Sequence, residues 1–241
     1  ETGGDRAAPL DIAFVLDMTG SMAYSSSFNT GDVQNNAMDN QSLNPDTTVP
    51  AFGHYVSTKE FQTWPVPVGD GPTLNGIAKG FREVTACGGA SRPPRLVGVQ
   101  ASGCQPIKRA WERAGSIEPT HARTIADGIA VGRPIAGAAA IRDVTTTGGA
   151  FVAVSDDQML DAMRLLAARA GVLAEPAAAA SLAGLRVAIE EGLVDAGERI
   201  VALITGSSLK TAQFLRPQGR VIEVAADLRS LARHLADVAP R

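Results

Sequence analysis

The sequence predicts an α/β fold with a mostly parallel sheet and helices on both faces. From Pro65 onward, short apolar runs alternate with amphipathic or alanine-rich stretches, the rhythm of strand and helix alternation. The runs Arg95 to Ala101, Ala150 to Val154 and Arg199 to Ile204 are almost continuously apolar, as strands covered on both faces are. Glycine and proline separate these stretches at short intervals, as in the turns of compact βα units.

Taken in order, Trp64 to Val68 reads as the first of these strands. Leu74, Ile77, Ala78, Phe81 and Val84 then recur at i, i+3, i+4 and i+7 and predict a helix with one apolar face. Arg95 to Ala101 is a buried strand and Pro106 to Ala114 a helix opened by proline. Arg123 to Val131 begins in a helical manner before the Gly132-Arg133-Pro134 break, and Pro134 to Asp143 reads as the next helix. Ala150 to Val154 is a strand, and Asp156 to Ala170 a helix that Ser155 can cap. Glu175 to Glu191 is an alanine-rich helix, Arg199 to Ile204 a strand, Arg220 to Val224 a last strand and Asp227 to Val238 a closing helix.

The front of the chain has a different composition. Tyr24 to Trp64 is rich in Ser, Asn, Asp, Thr and Gln and poor in periodic apolar residues, as loops are. The expected division is a front part, 1–64, and an α/β region, 65–241.

Composition excludes several functions. With 241 residues, 45% hydrophobic and 20% charged, the chain can bury a substantial core and is not compositionally disordered. A net charge of −3 gives no general attraction to nucleic acid. No apolar run reaches the ~20 residues of a bilayer span, so a cytoplasmic protein without a membrane partner is expected. Cys87 and Cys104 lack metal-ligand spacing and read as reduced, buried or half-buried thiols. His54, His121 and His234 are isolated and read as exposed or packed side chains.

The turn Val66-Pro-Val-Gly-Asp-Gly-Pro-Thr-Leu74 joins a strand to a helix through glycines and carries the main functional signal. Gly69 and Gly71 can take positive φ and admit a ligand to the backbone, and Thr73 can cap the helix. An anion there would meet unpaired N–H groups and the positive end of the helix dipole. An ordinary αβ connection fits the same residues. In a parallel sheet, ligands sit beyond the carboxyl ends of the strands, where this turn and Thr205-Gly-Ser-Ser208 both lie.

Four segments together extend the reading. They are Pro65-Val-Pro-Val-Gly-Asp-Gly-Pro-Thr-Leu-Asn-Gly-Ile-Ala-Lys-Gly-Phe81; Leu96-Val-Gly-Val-Gln-Ala101 with Pro106; Thr124-Ile-Ala-Asp-Gly-Ile-Ala-Val-Gly-Arg-Pro134; and Ala174-Glu-Pro-Ala-Ala-Ala-Ala180 with Leu203-Ile-Thr-Gly-Ser-Ser-Leu-Lys210. In order and spacing they resemble the threonine synthases, within the tryptophan synthase β-like family of pyridoxal-phosphate enzymes, over residues 65–215. The resemblance implies the large domain of that fold, pyridoxal phosphate as cofactor, an amino-acid substrate and a lyase reaction in threonine biosynthesis. That reaction converts O-phosphohomoserine and water to threonine and phosphate. It also implies that Gly69, Asp70, Gly71, Pro72 and Thr73 cradle the cofactor phosphate, that the Thr205 hydroxyl meets the pyridine nitrogen, and that Glu175 stands near the ring. Thr205 also suits a cap of the turn after its strand, and Glu175 a first-turn helix acid. A homodimer is compatible with this reading.

Such an enzyme needs a Schiff-base lysine, which in this family precedes the phosphate loop by a whole small domain, in a Ser-x-Lys context. The chain has four lysines. Ser57-Thr-Lys59-Glu60 echoes that context but stands only ten residues before Gly69; Lys79 and Lys108 lie in helices, and Lys210 belongs to the Thr-Gly-x-x-Leu-Lys segment. No catalytic residue is therefore assigned, and the machinery is expected to be incomplete.

The front carries instead Asp11-Ile-Ala-Phe-Val-Leu-Asp-Met-Thr-Gly-Ser-Met22, an apolar strand ending in a carboxylate and two hydroxyls. It resembles the first strand of a von Willebrand A-type domain, over about 9–55. That resemblance implies Asp17, Thr19 and Ser21 as oxygen ligands for Mg²⁺ or Ca²⁺. A hydroxyl-capped turn fits as well. Side by side, the two resemblances imply a chimeric or truncated chain. The alternatives to a lyase are thus a metal-dependent A-type binding module and an inactive remnant.

Overall fold

A computed structural model describes residues 11–16, 62–88, 90–195, 197–215 and 223–238. Its sheet contains β1 (Asp11–Leu16), β2 (Thr63–Pro67), β3 (Arg95–Ala101), β4 (Ala150–Val154) and β5 (Arg199–Ile204). All pairings are parallel and the order is β1-β5-β2-β3-β4, as the apolar strands predict. The helices are α1 (Pro72–Ala86), α2 (Pro106–Arg113), α3 (Gly137–Thr146), α4 (Asp156–Ala170), α5 (Pro176–Glu190) and α6 (Leu228–Val238).

Strand alternation divides the core into two layers. Trp64, Val66, Leu96, Phe151, Val201 and Leu203 pack with Leu74, Ala78 and Phe81 of α1, Ile107 of α2, and Ala140 and Val144 of α3. Trp64 and Phe81 meet edge to face with ring centroids 4.9 Å apart. On the opposite face, Val97, Val99, Val152, Val154, Ile200 and Ile204 pack under α4 and α5. Helix α5 crosses β2, β3, β4 and β5 and lies beneath α4. Eleven of its fifteen residues are buried, and alanine dominates them because the helix is squeezed from two sides. A Cβ on Gly184 would stand 2.4 Å from Val99 Cγ2, so glycine alone permits this approach.

The path of the chain creates a crevice. After β2, β3 and β4 are laid down with α1, α2 and α3 on one face, α4 and α5 carry the chain across the other face. Strand β5 then returns beside β2. Chain leaving β2 turns to the α1 face, whereas chain leaving β5 enters a 3-10 segment, Ser208–Phe214, whose Phe214 packs with the α4 and α5 layer. The gap between β2 and β5 is therefore the topological switch point, where ligands of such sheets bind. Prolines shape that seam. Backbone groups alternate between neighbouring strands, and Val68 N–H donates to Val99 O of β3, which turns Pro65 and Pro67 toward β5 with no N–H to give. Registered pairing between β2 and β5 accordingly lies at Thr63 and Ile200, the amino end.

Several expectations need correction. Arg123 to Val131 is a loop with one 3-10 turn, Asp127–Ile129, because its backbone donors serve distant partners: Arg123 N–H bonds Gly103 O and Ile125 N–H bonds Asp156 Oδ2. The helix expected from Pro134 begins at Gly137, since the N–H groups of Ile135 and Ala136 are taken by Asp70. Val84 is 37% exposed, at the end of the apolar stripe. Cys87 is exposed, whereas Cys104 is buried; both are free. Residues 220–222 of the last expected strand lie outside the described residues, and Glu223 and Val224 are not in a strand. Ser155 caps α4 as expected, in a capping box with Gln158.

At the amino edge of the sheet, Glu198 accepts from the Thr63 hydroxyl at 2.7 Å and from Asp195 N–H at 3.0 Å, and pairs with Arg95. Burial pushes its carboxyl up, but the bonds from Arg95, Thr63 and Asp195 and the Arg95 charge outweigh this and hold it below its usual range. A depressed carboxyl pKa stabilises the fold above its unfolded-state value and loses that contribution as pH falls through the folded value. Glu198→Gln should therefore lower stability near neutrality and flatten its decline in acid, measured by urea unfolding at a series of pH values. Gly184→Ala should cost about 1–3 kcal/mol by overpacking, and Val99→Ala in the same chain should restore part of it.

Candidate functional site at the carboxyl edge of the sheet

The β2–α1 turn is shaped by close neighbours. Gly71, at φ 107°, is the N-cap of α1, with Pro72 at the first helical position, and no side chain caps this helix among the described residues. Thr73 is thus not the cap expected of it; it is exposed within the first turn. The glycines also have a reason other than ligand access. A Cβ on Gly69 would come within 2.8 Å of Gly128 O, and one on Gly71 within 3.0 Å of Ala136 O. Segment 126–136 thus lies directly on the turn.

Asp70 ties these pieces together. Its Oδ1 accepts from Ile135 N–H at 2.5 Å and its backbone carbonyl from Ala136 N–H at 3.1 Å. A carboxylate next to a helix N-terminus is electrostatically favourable and is spent here on the entry to α3.

The other wall follows β5. Thr205 is half-buried, and its hydroxyl enters no hydrogen bond among the described residues. The turn after the strand is capped by Ser207, whose Oγ accepts from Leu209 N–H at 3.3 Å. Glu175 is the N-cap residue of α5; its N–H donates to Gly206 O at 3.0 Å. Its largely buried carboxylate stands 3.1 Å from Lys210 Nζ. The carboxylate occupies the space a Cβ on Gly206 would need, at 2.1 Å, and lies 3.7 Å from the Cβ position of Gly128. Glu175, Gly128, Gly206 and Lys210 thus meet at one place, a link between segments 124–134, 174–180 and 203–210 that sequence spacing does not disclose.

Asp156 was also missed. It accepts from the Thr124 hydroxyl at 2.6 Å and from Ile125 N–H, and so anchors segment 124–134 over the sheet edge. All three described lysines are engaged with carboxylates: Lys79 with Glu83, Lys108 with Glu112 and Lys210 with Glu175. Lys59, Asp17, Thr19 and Ser21 lie outside the described residues. Among the described residues no group of three or more His, Cys, Asp or Glu is placed to hold a metal ion. His121 is exposed, and His54 lies outside the described residues. No helix among the described residues is long and apolar enough to cross a membrane.

A parallel sheet with its loops gathered at a switch point is an open α/β fold of the kind that binds ligands at that edge, and comparison with known proteins gives the family. The model of the family described as "Pyridoxal-phosphate dependent enzyme" matches residues 52–206, and the chain belongs to that family, whose members depend on pyridoxal phosphate. It is similar to threonine synthases: 37% identical over 176 residues to that of Methanocaldococcus jannaschii, covering 72% of this chain and 44% of that protein. To the Bacillus sp. enzyme it is 33% identical over 177 residues, covering 72% and 48%. The chain thus spans less than half the length of these relatives. Among solved structures, tomato threonine deaminase isoform 2 superposes with a TM-score of 0.52 at 21% identity, covering 64% of this chain and 42% of that one. Maize serine racemase gives 0.51 at 18% identity, covering 74% and 48%. These structural likenesses show the fold. The comparisons give no support to an A-type domain or to a chimeric origin.

Asp70→Ala should cost about 1–2 kcal/mol through the lost bond to Ile135, whereas Asp70→Asn, which keeps the acceptor oxygen, should cost less than about 0.5 kcal/mol. Denaturant unfolding of the two variants checks this.

Proposed function

We propose that this chain is the cofactor-binding α/β region of a threonine-synthase-like lyase, with the β2–α1 turn holding the phosphate of pyridoxal phosphate and Thr205 meeting its pyridine nitrogen. One observation carries the reading: an N-terminus of α1 at Gly71 and a hydroxyl at Thr205, both without a capping or hydrogen-bonding partner among the described residues, lie at the carboxyl ends of the two strands that flank the switch point. Helix N-termini bind phosphate through free N–H groups and the dipole. Gly69, Asp70, Gly71 and Thr73 would supply those N–H groups, while Pro72, which has none, fixes the helix start. When bound, the cofactor supplies an electron sink for charge developing at the substrate carbon. A neutral hydroxyl at Thr205 leaves that ring less charged than a carboxylate would. Lys210 pairs with the Glu175 carboxylate beside this region, so that a carboxylate there would not be left unpaired next to a bound ring.

The substrate would be an amino acid of the O-phosphohomoserine type, hydrolysed to threonine and phosphate. The covalent lysine is assigned to none of the three ion-paired described lysines. Outside the described residues Lys59 is the one candidate within the chain. The division into a front part, 1–64, and the α/β region remains part of this reading, as does the alternative of a metal-dependent module at Asp17, Thr19 and Ser21.

Titration of the protein with pyridoxal phosphate tests the proposal. Saturable binding is expected, weakened about tenfold by Gly71→Ala, a loss of ~1.4 kcal/mol at a backbone geometry alanine resists. Thr205→Val should change the absorbance of the bound ring, and borohydride reduction followed by peptide mapping would identify any lysine joined to it. No binding, together with a rise in melting temperature on adding Mg²⁺ or Ca²⁺, would favour the metal module instead.

A further inference from the structure

Gln100 is the penultimate residue of β3, is fully buried, and shares its side of the strand with Leu96, against the aliphatic layer beneath α1 to α3. An amide at such a position is costly unless its donors and acceptors are met. Here they are met from two directions. Oε1 accepts from Ile107 N–H at 3.0 Å and from Lys108 N–H at 2.9 Å, and Nε2 donates to Val68 O at 3.3 Å.

The two acceptor bonds replace a local cap. Helix α2 begins with Pro106, which needs no acceptor, and its N-cap residue Gln105 makes no side-chain cap bond, its amide donating to Ser102 O instead. The next two helix donors, Ile107 and Lys108, are exactly those an N-cap side chain would take. Gln100 therefore caps α2 from the sheet.

The donor bond acts on the candidate site. Val68 N–H already donates to Val99 O, so with Nε2 on its carbonyl both backbone groups of Val68 are held by β3. Gly69, the next residue, is where the turn begins. We propose that Gln100 is a positioning residue for the anion-binding turn, fixing the direction in which the chain leaves β2 and so the placement of the Gly69 to Thr73 N–H groups. Its functional consequence rests on the reading of that turn as a phosphate cradle. The amide supplies acceptor and donor together: an ionised carboxylate could still accept from α2 but would face Val68 O with no donor, and an aliphatic side chain would orphan all three backbone groups.

The Gln100→Glu variant, read at a pH high enough for its carboxyl to be ionised, separates the two ends of the bridge. Hydrogen exchange should leave Ile107 and Lys108 protected as in the wild type, while exchange at Val68, whose N–H is bonded to Val99 O where the turn begins, rises about tenfold, as expected for ~1.4 kcal/mol of lost ordering. Pyridoxal phosphate should bind about tenfold more weakly by the same conversion. A residue that merely fills the core would alter both ends together or neither. Unchanged exchange and affinity in this variant would overturn the proposal. Exchange at the turn decides it even if the wild type binds no pyridoxal phosphate, an outcome that would refute the cradle reading instead. Should Gln100→Glu fail to fold, the wild type still decides: its Gln100 side-chain amide protons should exchange as slowly as Ile107 N–H, and rates typical of an exposed glutamine would contradict the assignment.

Discussion

The close approach of α5 to the sheet is the constraint on which the rest of the structure depends. A helix that spans four strands on one side and carries α4 on the other has no room for large side chains. Alanines at 177 to 180 and 183, with Gly184 over Val99, meet that condition. Burying the helix in this way lets the chain return from β4, at one edge, to β5 beside β2. It also delivers the amino end of α5, with Glu175, to the carboxyl edge of the sheet, against Gly128 and Gly206. Packing on one face thus creates the switch-point crevice and places the Glu175 side chain beside it.

The crevice is held mainly by hydrogen bonds between loops. Asp70 binds the entry to α3, Asp156 binds Thr124 and Ile125, and Glu175 binds Gly206 through its backbone and Lys210 through its side chain. Three carboxylates therefore fix three loops, each paired with N–H, hydroxyl or ammonium groups that offset the cost of burying charge. Among the described residues this leaves without partners the donors of an uncapped helix start and, after β5, the hydroxyls of Thr205 and Ser208. The chain belongs to the pyridoxal-phosphate-dependent family and spans less than half the length of the threonine synthases it is similar to.

Much of the fold could be read from the sequence because strands buried on both faces are continuously apolar and the α1 stripe from Leu74 to Phe81 keeps helical spacing. The glycine turn and Thr205 were legible for the same reason: local composition marks the ends of strands. What was not legible is what depends on distant partners. Arg123 to Val131 has helical composition, yet Gly103 and Asp156 claim its donors. Thr73 is a good cap by type, yet Gly71 holds that position at a positive φ. Gln100 reads as one polar residue in an apolar strand, and nothing local says that it serves both Val68 and α2. The pairing of Glu175 with Lys210 joins residues on opposite sides of β5 in the sequence.

The central claim is that an anion binds at the start of α1 in the gap between β2 and β5. Amide-resolved NMR during titration with pyridoxal phosphate tests it most directly. The account predicts that the largest shifts fall on Gly69, Asp70, Gly71, Thr73 and Leu74, with a second group at Thr205 and Gly206. Shifts confined to the amino edge of the sheet, around Arg92 and Arg95, or no saturable shift at the turn, would contradict it.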